Sequence, residues 1–188
     1  DEMRIGSRRF VQYVQGAYVE GAANKDTREY FYFISHEGRL FLDDTKHKNF
    51  TSSYKGTAVA RDVPFLNFFY RMLKENRTGE WPDFPWISRC GVERNYVRCD
   101  DRPIVYTKLD GDRERLKIGE STLDVEFEPG ALSVGSNGRV YHPSRLGLGL
   151  VTSRLADQLY PRCRFDAEGR AVEIEWNGRR YGMGRVER

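Results

Sequence analysis

Two stretches of the chain decide how its fold is read: residues 34–41, with the sequence ISHEGRLF, and residues 134–141, with the sequence VGSNGRVY. In each stretch an apolar residue leads into a polar turn, which is followed by Gly-Arg and then by an apolar-aromatic pair. Glu-Gly and Asn-Gly are typical of β-hairpin turns, because glycine adopts positive φ without steric strain. The two stretches therefore predict two hairpins at equivalent places in two similar halves.

A helix is predicted after each of these hairpins. Over residues 64–76 one face of a helix is marked by the apolar residues Phe65, Phe68, Phe69, Met72 and Leu73. Asp62 is the predicted N-cap of this helix. Over residues 147–160 the same spacing is shown by Leu148, Val151, Leu155 and Leu159. Since proline cannot continue a helix, Pro161 is expected to end the second one.

A second hairpin is predicted after each helix. In the first half, residues 95–109 read as two strands around a turn at 100–103. In the second half, residues 171–183 read as two strands around Asn177-Gly178, and Asn-Gly is the strongest short hairpin signal. Each half is therefore expected to have the order ββ-α-ββ.

The expected fold class is α+β, with two tandem ββ-α-ββ units and mainly antiparallel sheet around one core. The halves span about residues 30–109 and 131–185, and alternating polarity predicts a linking hairpin at 115–128. We expect residues 30–188 to form a single domain. Residues 1–29 are expected to be a separate arm and linker.

This N-terminal segment has its own pattern. Residues 5–18 predict a short helical arm, with apolar residues on one side and Arg4, Arg8 and Arg9 on the other. Residues 21–27 are small and polar, which is typical of a linker. The basic arm is expected to pack along the domain or to reach a partner.

The bulk composition fits a folded protein with no strong bias towards one class of partner. Hydrophobic residues make up 39% and charged residues 31% of the chain, which is enough apolar material for a core. The net charge of +3 is compatible with RNA or anionic lipid but requires neither. Cys90, Cys99 and Cys163 fit no disulfide framework, so a reducing compartment is expected. With no run of about 18 apolar residues, no transmembrane helix is predicted.

Three groups of motifs carry a resemblance to a known family. They are TREYFY at 27–32 with LFLDDT at 40–45, CGVERN at 90–95 with RCDDRP at 98–103, and NGRVYHP at 137–143. Together they resemble uncharacterised protein family 0598, the family of the human chromosome 8 open reading frame 82 protein. The resemblance covers nearly the whole chain and implies a mitochondrial matrix protein with no established activity. The repeat architecture is also similar, more weakly, to the bacterial domain of unknown function 1285.

The densest polar cluster runs from Cys90 to Arg102. If its strands fold back as a hairpin, the thiols of Cys90 and Cys99 approach each other, and a Cys-His nucleophile pair with His142 is conceivable. The alternative is that the thiols are buried and behave as small apolar groups. No Cys-x-x-Cys or His-x-x-x-His spacing predicts a metal site.

Two further groups of residues are candidate binding sites. Arg39 and Arg139 follow the two turn glycines, and a pseudo-twofold relation would let them hold a phosphate or carboxylate. The alternative is that these arginines are solvated or paired with acidic neighbours. Arg94, Tyr96 and Arg98 alternate along one strand, so they would share one face and could contact RNA.

Three classes of function follow. We favour a non-catalytic binding protein or accessory subunit of a large mitochondrial assembly, such as the ribosome or a respiratory complex. The alternatives are a small-ligand-binding protein or enzyme that uses the cluster from Cys90 to Arg102, and an RNA-binding module. No catalytic residue, metal or cofactor is predicted, and the expected partners are proteins of a mitochondrial complex, with RNA as a second candidate. The candidate binding residues are Arg39, Arg94, Arg98, Asp101, Arg102, Arg139 and His142.

Overall fold

The computed structural model describes residues 12–43 and 62–187. Its first-half elements are β1 (Ala17–Tyr18), β2 (Arg28–Ile34), β3 (Leu40–Leu42), α1 (Val63–Met72), β4 (Leu73–Glu75), β5 (Trp86–Cys90) and β6 (Glu93–Cys99). The middle elements are β7 (Val105–Asp110), β8 (Arg115–Ile118) and β9 (Asp124–Glu126). The remaining elements are β10 (Ser133–Gly135), β11 (Val140–Ser144), β12 (Gly147–Val151), α2 (Ser153–Leu159), β13 (Cys163–Phe165), β14 (Ala171–Trp176), β15 (Arg179–Gly182) and β16 (Gly184–Val186). Short 3-10 turns lie at Pro129–Ala131 and Tyr160–Arg162.

The strands form three sheets. The first has the order β1-β2-β6-β5-β4, with β3 also paired to β2. The second has the order β16-β10-β11-β12-β7-β8-β9, and the third has the order β13-β14-β15. Among the described residues, β2–β6, β10–β16 and β12–β7 are parallel pairs and the other pairings are antiparallel. The prediction of an α+β fold with mostly antiparallel strands is confirmed.

The larger hydrophobic core is shared by all three sheets and both helices. It includes Tyr32 from β2, Phe69 from α1, Tyr106 from β7, Leu155 from α2 and Ile174 from β14. Each of these side chains is at most 1% exposed. Because all three sheets bury residues in one cluster, the described part of the chain has a common core.

A smaller aromatic cluster lies on the opposite face of the first sheet. Phe31 and Tyr96 alternate with core residues along β2 and β6, so they point away from the larger core. Tyr13 covers this cluster, with its ring 4.3 Å from that of Phe31. The side-chain amide of Gln15 holds the same strand, since it donates to the Phe31 carbonyl at 2.8 Å and accepts from the Phe31 N–H at 2.9 Å.

Several local predictions are confirmed. The hairpins β2–β3, β10–β11, β8–β9 and β14–β15 form where the turn residues place them. Asp62 caps α1, because its carboxylate accepts the N–H of Phe65 at 3.0 Å. Each of these features depends on only a few neighbouring residues.

The hairpin predicted across residues 100–103 is wrong. Strand β6 belongs to the first sheet, whereas β7 belongs to the second. The hairpin partner of β6 is β5, which precedes it across Gly91. Because β6 is hydrogen-bonded to β2 on one edge and β5 on the other, no edge is left for β7.

The helix predicted over residues 147–160 is wrong in its first part. Residues Gly147–Val151 form strand β12, and α2 begins only at Ser153, capped by the Thr152 side chain. Strand β12 pairs with β11 and β7, so its backbone hydrogen bonds are made between strands. Gly147 and Gly149 also disfavour a helix. The first helix likewise ends early, because Leu73–Glu75 forms β4.

The N-terminal helical arm is not confirmed. Residues 1–11 lie outside the described residues, and between residues 12 and 27 the chain forms β1, turns and extended segments, with no helix. The tandem ββ-α-ββ arrangement also remains a prediction, since three strands precede α2 in the second half. In the described part of the chain, neither α1 nor α2 is long and apolar enough to cross a membrane.

Candidate ligand groove

The two Gly-Arg turns have the same backbone hydrogen bonds. In the first turn the N–H of Gly38 donates to the Ser35 carbonyl at 2.9 Å, and the N–H of Ser35 donates to the Arg39 carbonyl at 3.0 Å. The second turn has the same two bonds: the N–H of Gly138 donates to the Gly135 carbonyl, and the N–H of Gly135 donates to the Arg139 carbonyl, each at 2.9 Å. The φ angles of Gly38 and Gly138 are +79° and +75°. The similarity of the two sequence stretches thus corresponds to a similarity of backbone structure.

The aspartates that follow β6 join these turns. Asp100 accepts the backbone N–H of His36 at 3.0 Å, and its Oδ2 lies 2.9 Å from the His36 Nδ1. Asp101 accepts from Arg139 at 2.6 Å and from the Tyr141 hydroxyl at 3.0 Å. Since the Asp101 side chain is only 3% exposed, its charge needs these donors. One dipeptide therefore ties the hairpin of the first sheet to the hairpin of the second.

A groove with two lobes lies beside these turns, and we call it the turn groove. The first lobe has a volume of about 410 Å³ and the second about 330 Å³. His36 and Ser153 line both lobes, so the lobes adjoin. Arg39 lines the first lobe and Arg139 lines the second. The structure thus brings the two predicted turn arginines to neighbouring parts of one groove.

The first lobe carries an excess of positive charge. Among the residues that the structure describes, its charged lining residues are the cations Arg39, Lys108, Lys117 and Arg154 and the carboxylates Glu37 and Glu120. The Arg39 guanidinium lies 3.5 Å from Glu37, as the alternative interpretation of the turn arginines expects. Among the described residues, no carboxylate lies within 4.0 Å of Lys108, Lys117 or Arg154. These three cations are available to an anionic ligand.

Three of these groove residues were not predicted from the sequence. Lys108 and Lys117 are on adjacent strands, and Arg154 is on α2. The only signal for the two lysines was a basic residue in an alternating strand, and the only signal for Arg154 was a basic residue in a predicted helix; such residues are most often solvated. A register shift between Tyr106 and Lys108 places the two lysines opposite each other. That juxtaposition is not visible in the sequence.

Arg98 is held in an internal ion pair outside the groove. Its Nε and Nη2 donate to the two carboxylate oxygens of Asp43 at 2.6 and 2.7 Å. The Asp43 side chain is 1% exposed, and the Tyr13 hydroxyl also donates to it. The Arg98 guanidinium lies 5.2 Å from the centre of the Phe84 ring. Arg98 thus anchors the N-terminal segment and the end of β3 to the first sheet.

Tyr96 is buried, although Arg94 and Arg98 share its face of β6 as predicted. Its hydroxyl donates to Glu80 at 2.9 Å, and burial together with Glu80 raises the pKa of Tyr96 to about 12. Arg94 lies 3.4 Å from Glu80 and 3.8 Å from Glu29. The aromatic residue that was expected to stack on RNA bases is therefore covered by protein.

His142 is also buried, and its ring nitrogens have partners. Its Nε2 accepts the backbone N–H of Glu128 at 3.0 Å, so the Nδ1 carries the proton and donates to the Pro143 carbonyl at 3.0 Å. Burial lowers the pKa of His142 below its usual value. The residue therefore acts in packing and in holding the backbone at Glu128, and it does not line the turn groove.

The cysteines of the polar cluster are far apart. Cys90 pairs with the first residue of β6 and Cys99 is the last residue of that strand, so roughly 20 Å of extended chain separates them. The expected approach of the two thiols is therefore wrong. Burial, reinforced by Asp101 and Asp100, raises the pKa of Cys99 to about 11, so its thiol is protonated near neutral pH. Among the described residues, no group of three potential ligands could hold a metal ion.

Arg102 supports the Asp101 junction. Its Nε lies 3.6 Å from the Asp101 carboxylate, and its guanidinium lies 5.6 Å from the centre of the Tyr141 ring. The structure therefore brings Asp101, Arg102 and Arg139 together, with Arg39 in the adjoining lobe of the groove. Arg94, Arg98 and His142 lie elsewhere.

The fold and the groove define a sheet-rich α+β protein with a polar, open surface site. The chain belongs to the family described as "Domain of unknown function (DUF4505)", whose model matches residues 20–186. The predicted membership of an uncharacterised family is thereby confirmed. The chain is also similar to a DUF1285 family protein from Silicibacter pomeroyi DSS-3, known from a crystal structure at 2.50 Å resolution. The two share 15% identity over 95% of this chain and 92% of that chain, with a TM-score of 0.45.

Proposed function

We propose that this protein is a non-catalytic binding protein of the mitochondrial matrix, an accessory subunit of a large assembly such as the ribosome or a respiratory complex. The turn groove receives a segment of a partner protein. The observation that carries this proposal is the first lobe, where Lys108, Lys117 and Arg154 have no carboxylate within 4.0 Å among the described residues. Charges of this kind favour association with a complementary surface.

The rigidity of the groove supports the same proposal. Its walls come from two sheets and α2, and the buried Asp101 contacts hold the second turn in place. A preformed groove loses little conformational entropy when a partner binds. Open grooves with polar rims are typical of contacts between proteins.

The two alternatives have less support from geometry. The polar cluster from Cys90 to Arg102 uses its charged groups mainly for internal contacts, with Arg98 on Asp43 and Asp101 on Arg139. An RNA-binding face on β6 would lack its aromatic residue, because Tyr96 is buried. Affinity purification with and without nuclease, described below, separates RNA binding from binding to a partner protein.

We also propose that the two halves are copies of one ancestral unit. In support, the turns at Gly38 and Gly138 have the same hydrogen bonds. Strand β2 pairs in parallel with β6 in the first half, and β10 pairs in parallel with β16 in the second. In each half a helix comes after the hairpin, in the second half with β12 between them, and a short strand comes after the helix.

Affinity purification from mitochondria tests the binding proposal. The tagged protein is expected to comigrate with a large complex on size fractionation, with or without nuclease. The double variant Lys108→Glu with Arg154→Glu is expected to run free, whereas the control variant Arg113→Glu, on the loop after β7, stays bound. Finding the wild-type protein only as a free monomer would contradict the proposal. Release of the protein by a nuclease treatment that leaves the large complex itself assembled would instead favour the RNA-binding alternative.

A further inference from the structure

Lys108 and Lys117 are directly opposite each other on the antiparallel strands β7 and β8. Side chains in such a pair have their Cβ atoms about 5 Å apart and lie on one face of the sheet. Thr107 is the extra residue at the register shift, and its hydroxyl donates to the Gly119 carbonyl at 2.7 Å. This hydrogen bond holds the shifted register of β7 and β8. The two lysines therefore stay opposite each other, because the strands cannot slide to another register.

The pair carries an electrostatic cost in the free protein. Like charges directly opposite on adjacent strands are destabilising. Arg39 and Arg154 line the same lobe, so the described residues of its lining comprise four cations and two carboxylates, a formal excess of two positive charges among them. Uncompensated repulsion in an otherwise well-hydrogen-bonded sheet is typical of a site arranged for an anion.

We infer that Lys108 and Lys117 bind a phosphate monoester carried on a side chain of the partner segment. This inference rests on the function proposed above and names the group that the groove recognises. A phosphate monoester carries a charge of about −1.5 to −2 near pH 7, which matches the formal excess in the lobe. A single carboxylate would neutralise only half of it.

The donors also suit phosphate. Each lysine ammonium has three N–H donors, and a phosphate monoester offers three acceptor oxygens. Lysine binds phosphate as a compact point charge and does not need the planar fork that arginine offers to carboxylates. The lobe, at about 410 Å³, has room for the side chain that carries the phosphate.

The second lobe extends the site along the bound segment. It adjoins the first at His36 and Ser153, and its lining includes Leu150, Ala156 and Tyr160. An extended segment with its phosphate on the lysine pair would place a neighbouring side chain over these residues.

Thermal unfolding with inorganic phosphate tests the site in the full chain. At equal ionic strength, sodium phosphate is expected to raise the Tm of the wild-type protein above its value in sodium chloride. In chloride, Lys108→Gln and Lys117→Gln are each expected to raise the Tm by about 1–2 °C, because each removes the repulsion. The rise in Tm from chloride to phosphate is expected to be much smaller in both variants than in the wild type.

Lys74→Gln is the matched control. Lys74 is an exposed strand lysine whose partner across the strands is Ile87, and among the described residues no carboxylate lies within 4.0 Å of it. This variant should keep both the chloride Tm and the phosphate gain of the wild type. If Lys108→Gln and Lys117→Gln keep the full phosphate gain, or if Lys74→Gln loses it equally, the lysine pair is not the site.

Phosphatase treatment of the mitochondrial extract before affinity purification separates this inference from the proposed function. Loss of the partner complex after treatment is expected. A complex that is captured equally with and without phosphatase would overturn the phosphate inference and leave the binding function intact. If phosphate raises the Tm in a lysine-dependent way but no complex is captured from the extract, the phosphate is not carried on a partner protein. That result would overturn both this inference and the proposed function.

Discussion

Gly38 and Gly138 have the same backbone conformation but different surroundings. Both have φ near +75°, a region that L side chains rarely adopt. A Cβ on Gly38 would lie 2.7 Å from the Thr107 Cγ2, because the first turn packs against β7 and β8. A Cβ on Gly138 would meet nothing within 4 Å. Glycine is therefore required at the first turn for both conformation and space, and at the second for conformation alone.

We predict that Gly38→Ala lowers the free energy of unfolding by about 2–3 kcal/mol and Gly138→Ala by only about 1 kcal/mol. Positive φ costs an alanine roughly 1 kcal/mol at either position, and overpacking against Thr107 adds about 1–2 kcal/mol. Urea denaturation of the two variants measures both values. Equal losses would show that the first turn is not packed against β7.

From the buried His142 we predict that the free energy of unfolding depends on pH. Because burial lowers its pKa in the folded protein, the unfolded chain binds more protons between that lowered pKa and about 6.5. This contribution to stability is therefore complete above about pH 6.5 and is lost as the pH falls towards the folded pKa. In His142→Gln, whose side chain can still accept the Glu128 N–H, the part of the decrease in stability at low pH that is due to His142 should disappear.

Urea denaturation between pH 7.5 and pH 5 measures the effect as a difference between variants. His36→Gln is the control, since His36 is 52% exposed on its side chain and its loss should leave the His142 dependence unchanged. If the free energy of unfolding changes with pH as steeply in His142→Gln as in the wild type, His142 does not titrate in this range.

The strands β2 and β6 organise the first sheet. Strand β6 pairs with β2 and β5 on its two edges, which explains why residues 104–109 could not return beside it. Strand β2 has a gap between β1 and β3 on its outer edge, and the Gln15 side chain fills that gap with two hydrogen bonds to Phe31. The N-terminal segment is therefore docked through a side-chain amide that imitates a strand neighbour.

We predict that Gln15→Ala exposes the Phe31 amide to hydrogen exchange. In the wild type this N–H donates to the Gln15 Oε1 at 2.9 Å, and loss of one such bond in a buried site costs roughly 1–3 kcal/mol. Exchange at Phe31 should accelerate by about tenfold or more, as measured by NMR. Gln158→Ala, at an exposed position on α2, should leave it unchanged. Unaltered exchange in Gln15→Ala would mean that the segment is not held by this amide.

All three sheets and both helices contribute to one large core. Tyr32, Tyr106 and Ile174 come from different sheets and are each at most 1% exposed in the same cluster. Asp100 and Asp101 add polar ties between the first and second sheets. The single domain expected over residues 30–188 stays a prediction, which the unfolding experiment below tests.

We predict that the sheets unfold together. Hydrogen exchange by mass spectrometry across a urea series should show peptides from β6, β7 and β14 losing protection at one midpoint, because each contributes to the shared core. Peptides covering β1 should open at lower urea, since among the described strands β1 pairs only with the start of β2. Separate midpoints for β6 and β14 would show two independently folding units.

The sequence by itself determined the features that a few neighbouring residues control. The turn glycines, the Asp62 cap and the β8–β9 and β14–β15 hairpins were predicted, because φ preferences and local hydrogen bonds act within a few residues. The family membership was predicted separately, from the resemblance of the sequence motifs. Only the tertiary structure decided that β6 lies between β2 and β5, and that Gly147–Val151 is a strand. It also decided that Lys108 faces Lys117. These outcomes depend on which strand edges remain free once distant segments have paired, and no local pattern encodes that choice.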